Sequence, residues 1–207
     1  MSVVTLASWQ RLWGELGVAT ANGGLFNQLV AAYSERHRHY HTLQHLRECL
    51  AQFAAAAMLA QRPAEVEAAL WFHDAVYDPQ RDDNEAKSAD WARASVLAAG
   101  CEAEVAQRVA ALVLATKGHR AEGDDADTAL LLDIDLAILG TSYGRFDEYG
   151  RQIRAEYAHV DEAAFRAGRR RVLESFLQRP RIYLTEAFHD ALEPRARENL
   201  QRALADA

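Results

Sequence analysis

The length, composition and charge of this chain exclude several classes of protein. It has 207 residues with a formal net charge of −7, half of them hydrophobic and 26% charged, and only four prolines and eleven glycines. This composition is typical of one helical domain with a buried core, and the acidic balance argues against a broad nucleic-acid-binding face.

Helical periodicity predicts six helices in the first part of the chain. Their expected ranges are about 6–17, 25–33, 42–59, 63–77, 82–97 and 102–117. Pro63 is suited to the first turn of the fourth helix, and glycines at 17, 100 and 118 follow the first, fifth and sixth. The acidic cluster at 82–85 can cap the fifth helix.

The second part of the chain predicts four more helices. The segment GHRAEGDDAD is the most loop-like of the sequence, and the expected helices after it cover about 128–139, 143–159, 161–178 and 185–204. Gly140 ends the first of these, and Arg179–Pro180 breaks the chain before the last. No β-type alternation extends beyond a few residues, so the sequence predicts a single all-α domain spanning residues 1–207.

Charged residues interrupt two of the apolar helical segments. His73, Asp74 and Asp78 lie in ALWFHDAVYD, and Asp133 and Asp135 lie in LLLDIDLAILG. Burying a carboxylate in such surroundings is costly unless a cation accompanies it, and a metal ion is a simple candidate.

Four of the eight histidines fall in the stretch SERHRHYHTLQHLRECL. His37, His41 and His45 are spaced by four, so a helix through them would place them on one face. His45 is the candidate ligand because partners for it follow later in the chain. His41 lies one helical turn before it and can face the same cavity, whereas His37 and His39 are expected at the surface.

The order His45, His73–Asp74, Asp135 on successive helices resembles the HD superfamily of metal-dependent phosphohydrolases. The segments RHYHTLQHL, WFHDAVYD followed by DNEAKSA, TKGH, LDIDLAILG, IRAEY and RARENL resemble a bacterial subfamily of predicted metal-dependent HD phosphohydrolases. The resemblance covers nearly the whole chain. It implies an HD-domain helical bundle whose metal-site core is about 25–140, with the helices of about 143–205 packed onto it. A second HD dipeptide, His189–Asp190, falls outside this order.

The resemblance further implies that one divalent metal ion is held by His45, His73, Asp74 and Asp135. Two imidazoles and two carboxylates suit Mn, Fe, Co, Ni, Zn or Mg, and they leave positions for water and a phosphate oxygen. The implied reaction is hydrolysis of a small phosphoester, with nucleotides among the candidates. Asp133 cannot share a helix face with Asp135, so we expect it to cap a helix or to support the ligands.

Seven further residues are candidates for contacts around such an ion. Substrate-binding candidates are Arg38, His41, Lys117, His119 and Arg154, and candidates for orienting water are Asp78 and Glu85. For Arg38, Lys117 and Arg154 the alternative is a solvated surface charge. For Glu85 it is helix capping, and for Asp78 a hydrogen bond to a neighbouring helix. His119 is the single clear histidine between the HD pair and Asp135, where a binuclear site needs two, so we expect one ion.

Two other functions remain open from the sequence. One is a di-iron oxygenase on the same fold, which needs a fuller set of histidines, and the other is a non-catalytic module whose metal site serves structure or sensing. The expected partner is a small phosphorylated substrate rather than a long nucleic acid, which the acidic chain disfavours. A membrane is not expected either, because no apolar stretch approaches the roughly 20 residues of a membrane span.

The two cysteines and the first residues of the sequence bear on the compartment. Cys49 and Cys101 are too few for a disulfide framework and lie in helical sequence, which favours buried, reduced thiols. The segment MSVVTLASWQRLWGEL lacks a basic region followed by a long apolar run, so it does not indicate a signal peptide. We therefore expect a cytoplasmic protein.

Overall fold

The computed structural model describes residues 3–119 and 125–205, and these parts of the chain contain helices and no strand, which confirms the all-α class. The helices are α1 Leu6–Glu15, α2 Gly23–Ala32, α3 Leu43–Ala56, α4 Pro63–Phe72, α5 Asn84–Ala98, α6 Ala103–Ala115, α7 Ala126–Asp135, α8 Tyr143–Glu156, α9 Glu162–Leu177 and α10 Glu186–Ala205. Two 3-10 segments, Ala57–Leu59 and Leu136–Gly140, extend α3 and α7. Within the described ranges, no helix is both long enough and apolar enough to cross a membrane.

The chain divides into two compact units, of which the first runs to Leu132. Helix α4 is the centre of this unit, because it packs against α1, α3, α5 and α6. Its residues from Glu65 to Phe72 are all buried. Trp71 lies edge-on to Trp9 of α1, with ring centroids 5.1 Å apart, and Phe72 contacts Trp91 of α5. The unit therefore holds the end of α4 in a packed apolar core. The HD pair, His73–Asp74, follows directly after this end.

The second unit starts at Asp133 and is organised around the 3-10 segment Leu136–Gly140, which packs against α8 and α10. The buried Tyr183 hydroxyl donates to the Leu136 carbonyl at 3.1 Å, and the Asn199 amide donates to the Leu139 carbonyl at 2.8 Å. Gly140 is tightly enclosed, since a Cβ atom there would lie 2.6 Å from the Cβ of Leu192. Only glycine fits this position without a shift of α10.

The predicted end of α4 at Tyr77 is wrong, because the helix stops at Phe72. Side chains from elsewhere in the unit take the main-chain N–H groups that would have continued it. The N–H of Asp74 donates to the Tyr33 hydroxyl at 3.3 Å, and that of Val76 donates to the Ser88 hydroxyl at 3.0 Å. The HD pair thus lies in a turn that follows the helix rather than inside it.

Helix α3 begins at Leu43, close to the predicted start at about residue 42, so His37 and His41 share no helix with His45. Thr42 has extended backbone geometry, and its hydroxyl accepts a hydrogen bond from the N–H of Gln44, which caps the helix. His37 and His41 therefore precede the helix in a series of turns. His41 still approaches His45, with ring centroids 6.0 Å apart.

Candidate metal centre

The imidazole rings of His45 and His73 face each other inside the first unit. His45 is on the first turn of α3, and His73 is the first residue after α4. Both are buried, and their Nε2 atoms lie 3.0 Å apart. The packing of α3 against α4 brings the two rings together.

The carboxylate of Asp74 completes a triangle with these two nitrogens. Its Oδ2 atom lies 3.1 Å from Nε2 of His73 and 3.4 Å from Nε2 of His45. Ligand atoms at about 2.1 Å from one metal ion are separated by about 3.0 Å at octahedral angles and by about 3.4 Å at tetrahedral angles. The three measured separations fall in this interval, so the donor atoms fit a single ion between them.

A main-chain carbonyl fixes the protonation pattern of His73. Its Nδ1 atom lies 2.8 Å from the carbonyl oxygen of Leu70, which can only accept, so Nδ1 carries the proton. In the neutral imidazole, Nε2 then presents its lone pair to the space shared with His45 and Asp74. This is the arrangement that metal-ligating histidines adopt.

Opposing effects act on the pKa of Asp74. Burial raises it, but protonated imidazoles outweigh burial: the charges of His73 and His41, together with hydrogen bonds from His45 and His73 when their Nε2 atoms carry a proton, hold the pKa well below its usual range. Asp74 is therefore an ionised acceptor at neutral pH, as a hard cation requires of a carboxylate ligand.

Arg38 fixes the main chain of the HD turn. Its guanidinium is buried, and it donates to the carbonyl of Asp74 at 2.6 Å, to that of Ala75 at 3.0 Å and to that of His41 at 3.2 Å. Its Nε also donates to Glu35 at 2.9 Å. Four of its five N–H donors are thus used by the protein itself, so we assign Arg38 to positioning Asp74, and its predicted contact with substrate stays a prediction.

Tyr33 supports the same turn from the opposite side. Its hydroxyl donates to the carbonyl of Trp71 at 3.3 Å and accepts the N–H of Asp74, while the Arg38 guanidinium lies over its ring at 5.4 Å. Complete burial raises the pKa of Tyr33 to about 12, so its hydroxyl keeps its proton at neutral pH. Tyr33 was outside the sequence-based candidates.

Cys49 is the second residue that sequence reasoning missed. It is buried one helical turn after His45, and its Sγ lies 3.7 Å from both ring nitrogens of that histidine. One ligand atom from each of His45, Cys49 and His73 lies within 4.8 Å of the others. His41 lies four residues before His45, and Cys49 lies four residues after it. The spacing that makes His41 a candidate therefore also indicates Cys49.

His41 and Tyr77 form the half-buried side of the cluster. Their rings are stacked, with centroids 4.0 Å apart and an interplanar angle of 27°. The charge of His41 also acts on Asp74. Among the predicted substrate contacts, His41 is the side chain that the structure brings next to the histidine pair.

The two residues predicted to orient water lie in the loop before α5 and on its first turn. The carboxylate of Asp78 accepts the N–H of Gln80 at 2.9 Å, and Asn84 binds the main chain of Asp78. Glu85 is on the first turn of α5, where a carboxylate stabilises the helix dipole. These contacts are local to the loop and the helix, and no described hydrogen bond links either carboxylate to His73 or Asp74.

Lys117 and His119 follow the end of α6. The Lys117 ammonium donates to the main-chain carbonyl of Asp82 at 3.0 Å, which ties this turn to the loop before α5. His119 has a positive φ of 49°, and its N–H donates to the carbonyl of Thr116. Their predicted contacts with substrate remain predictions.

The second unit contains three of the predicted residues, Asp133, Asp135 and Arg154. Asp133 accepts hydrogen bonds from the N–H groups of Leu184 and Thr185, both at 2.7 Å, and so fixes the main chain just before α10. Asp135 is buried at the end of α7.

Arg154 donates to the carbonyls of Tyr157 and Val160 and to the carboxylate of Glu162. Its ring partner is Phe165, 4.6 Å from the guanidinium. Arg154 therefore stabilises the turn between α8 and α9, and its predicted contact with substrate stays a prediction.

Comparisons with models of protein families, with curated proteins and with solved structures give no match to this chain. The imidazoles of His45 and His73 and the thiol of Cys49 form a buried donor set that is compatible with binding a metal ion.

Proposed function

We propose that this protein is a metal-dependent hydrolase of small phosphoesters. The observation that carries the proposal is the convergence of three donor atoms, Nε2 of His45, Nε2 of His73 and Oδ2 of Asp74, at mutual distances of 3.0 to 3.4 Å. The order of these residues in the sequence and their resemblance to the HD phosphohydrolases support the reaction class.

The proposed ligands are His45, His73, Asp74 and Asp135. Asp135 is included because the resemblance implies it and because its carboxylate is buried at the end of α7. A divalent ion held by these residues would lower the pKa of a coordinated water and would offset the charge of a phosphate oxygen. Arg38 and Tyr33 keep the HD turn fixed, so the two ligands on it need no rearrangement.

His41 is the proposed contact for the phosphate group. Its stacking on Tyr77 fixes the ring, and its side chain is half-buried at the edge of the histidine pair. A protonated imidazole there would donate a hydrogen bond to a phosphate oxygen.

A second candidate function is a metal site without catalysis, and the position of Cys49 favours it. If the sulfur and one carboxylate join the two histidines, four protein ligands fill a tetrahedral shell and leave no position for water. Metal content alone does not separate the two functions, so hydrolysis has to be measured directly.

The first experiment measures metal in purified protein by elemental analysis. We expect about one equivalent in the wild type and none in the double variant His73→Ala/Asp74→Ala. The matched control is His189→Ala/Asp190→Ala, which removes the other HD dipeptide from α10 in the second unit and should keep its metal. Metal retained by the first variant contradicts the proposed site.

The second experiment measures hydrolysis of p-nitrophenyl phosphate and bis-p-nitrophenyl phosphate with added Mn, Co, Ni, Zn or Mg. Turnover that requires metal and is lost in His73→Ala/Asp74→Ala supports a phosphohydrolase. Stoichiometric metal without turnover of these esters or of nucleotides favours the non-catalytic site instead.

A further inference from the structure

We propose that the thiol of Cys49 is a ligand of the bound ion and that it selects a zinc-like cation over magnesium or manganese. This inference rests on the metal site of the proposed function, and it applies to a catalytic site and to a non-catalytic one alike. It adds a sulfur donor that neither the resemblance nor the HD order includes.

The first support is the position of Cys49 on α3. It lies four residues after His45, so both side chains leave the same face of the helix. The thiol is 2% exposed and lies against the imidazole of His45, whose Nε2 is 3.0 Å from Nε2 of His73. The sulfur is therefore enclosed with the two proposed nitrogen ligands.

The second support is the direction of the sulfur from the His45 ring. Sγ is 3.7 Å from Nδ1 and also 3.7 Å from Nε2. An atom in line with either N–H bond would be much closer to that nitrogen than to the other. Equal distances place the sulfur away from both directions, so a directed hydrogen bond to His45 does not account for it.

The third support is the size of the separation. A metal–sulfur bond of about 2.3 Å and a metal–nitrogen bond of about 2.1 Å at the tetrahedral angle place the two ligand atoms about 3.6 Å apart. The 3.7 Å between Sγ and Nε2 agrees with that separation. An ion on Nε2 would hold the sulfur about 5 Å from Nδ1, so the thiol has to turn away from Nδ1, now 3.7 Å distant, when it binds. The wider group of His45, Cys49 and His73 atoms, all within 4.8 Å, is compact enough to close on one ion.

Coordination changes the chemistry of the thiol in a defined way. The S–H bond breaks, a sulfur–metal bond forms, and the proton is released to solvent. A thiolate favours borderline and soft cations such as Zn²⁺ or Co²⁺, whereas Mg²⁺ and Mn²⁺ prefer oxygen ligands. Cys49 thus determines the class of metal that the site accepts.

The test uses Co²⁺ as a spectroscopic probe added to metal-free full-length protein. A cobalt–thiolate bond gives a charge-transfer absorption in the near ultraviolet, which histidine and carboxylate ligands do not give. We expect this band in the wild type and its loss in Cys49→Ser, together with about a 10- to 100-fold weaker affinity for Zn²⁺. Affinity for Mn²⁺ should stay within a factor of a few.

Cys101→Ser is the matched control. Its thiol is half-buried after α5, its Sγ lies 3.7 Å from the Leu16 carbonyl, and it is outside the histidine group. The band should persist in this variant. A band that survives in Cys49→Ser, or Co²⁺ that binds without any band, overturns the inference and leaves the metal site intact.

Absence of Co²⁺ and Zn²⁺ binding in the wild type overturns the proposed function and this inference together. If Cys49→Ser does not fold, the ¹¹³Cd NMR shift of the cadmium-loaded wild type decides, because a sulfur ligand moves that resonance strongly downfield. A shift typical of nitrogen and oxygen ligands alone refutes a role for Cys49.

Discussion

The guanidinium of Arg38 donates to the main-chain carbonyl of Asp74 at 2.6 Å, and the same group also binds the carbonyls of Ala75 and His41. One buried cation therefore connects the turn that carries the HD pair to the turn that precedes α3. Because His45 follows on α3, Arg38 links the two segments that supply the proposed ligands. A metal site that is fixed before the ion arrives binds it with a smaller entropic cost.

Arg38→Met is expected to damage both stability and metal binding. It leaves the carbonyls of Asp74 and Ala75 buried without a donor, which should lower the free energy of unfolding by about 3 kcal/mol. Affinity for Co²⁺ should fall by about 10- to 100-fold, as for other residues that orient ligands. Urea unfolding and calorimetric titration measure the two effects. Arg36→Met, at an exposed neighbouring position, is the control, and equal losses in both variants would contradict the positioning role.

Asp133 and Asp135 are expected to give opposite results when each is changed to asparagine. Asp133→Asn disturbs the hydrogen bonds to Leu184 and Thr185, so metal-free protein should lose about 1–3 kcal/mol of unfolding free energy and keep its affinity for Co²⁺. Asp135→Asn should lower that affinity by at least about tenfold. Full Co²⁺ affinity in Asp135→Asn would remove this residue from the proposed ligands.

Glu67 predicts a pH dependence of stability that is separate from the metal site. Burial raises the pKa of its carboxyl, although two hydrogen bonds from Arg11, at 2.6 and 2.8 Å, oppose the effect. Above about pH 4 the folded protein then holds this proton more tightly than the unfolded chain does. The free energy of unfolding should therefore fall as the pH rises through the raised pKa.

Glu67→Gln removes this titration, so its stability relative to the wild type should increase between pH 4 and pH 7 in urea unfolding. Glu15→Gln removes the exposed carboxylate that contacts the same arginine, and its effect should stay within about 1 kcal/mol. A stability difference between Glu67→Gln and wild type that is constant with pH would contradict the prediction.

Gly140→Ala is expected to destabilise the second unit. The added methyl would lie 2.6 Å from the Cβ of Leu192 and 3.0 Å from its carbonyl oxygen, so α10 must move, at a cost of about 1–3 kcal/mol. Gly150→Ala in α8 is the control, since nothing lies within 4 Å of its added methyl and alanine favours the helix by about 0.5–1 kcal/mol. Thermal unfolding should therefore shift in opposite directions for the two variants.

Local signals in the sequence were sufficient for the helices and insufficient for the details of the site. Apolar periodicity and the glycines after α1, α5 and α6 predicted these helices closely. The end of α4 could not be predicted, because Tyr33 and Ser88 take its N–H groups from distant positions in the chain. Arg38 adjoins a motif, but its burial against the HD turn depends on the same tertiary contacts. The sequence does not predict Cys49 as a metal ligand, because a cysteine in helical sequence is usually a packing residue.

The early end of α4 has a consequence for the proton on His73. In a helix that continued, the carbonyl of Leu70 would accept the N–H of Asp74. Because Tyr33 takes that N–H, the carbonyl accepts Nδ1–H of His73 instead. The early end of α4 thus leaves the Leu70 carbonyl to the imidazole of His73. One further turn of helix would make this carbonyl accept a main-chain N–H as well as Nδ1–H. The bond that keeps the proton on Nδ1 would then weaken, and the lone pair of Nε2 would be free in fewer molecules, without any change to a ligand.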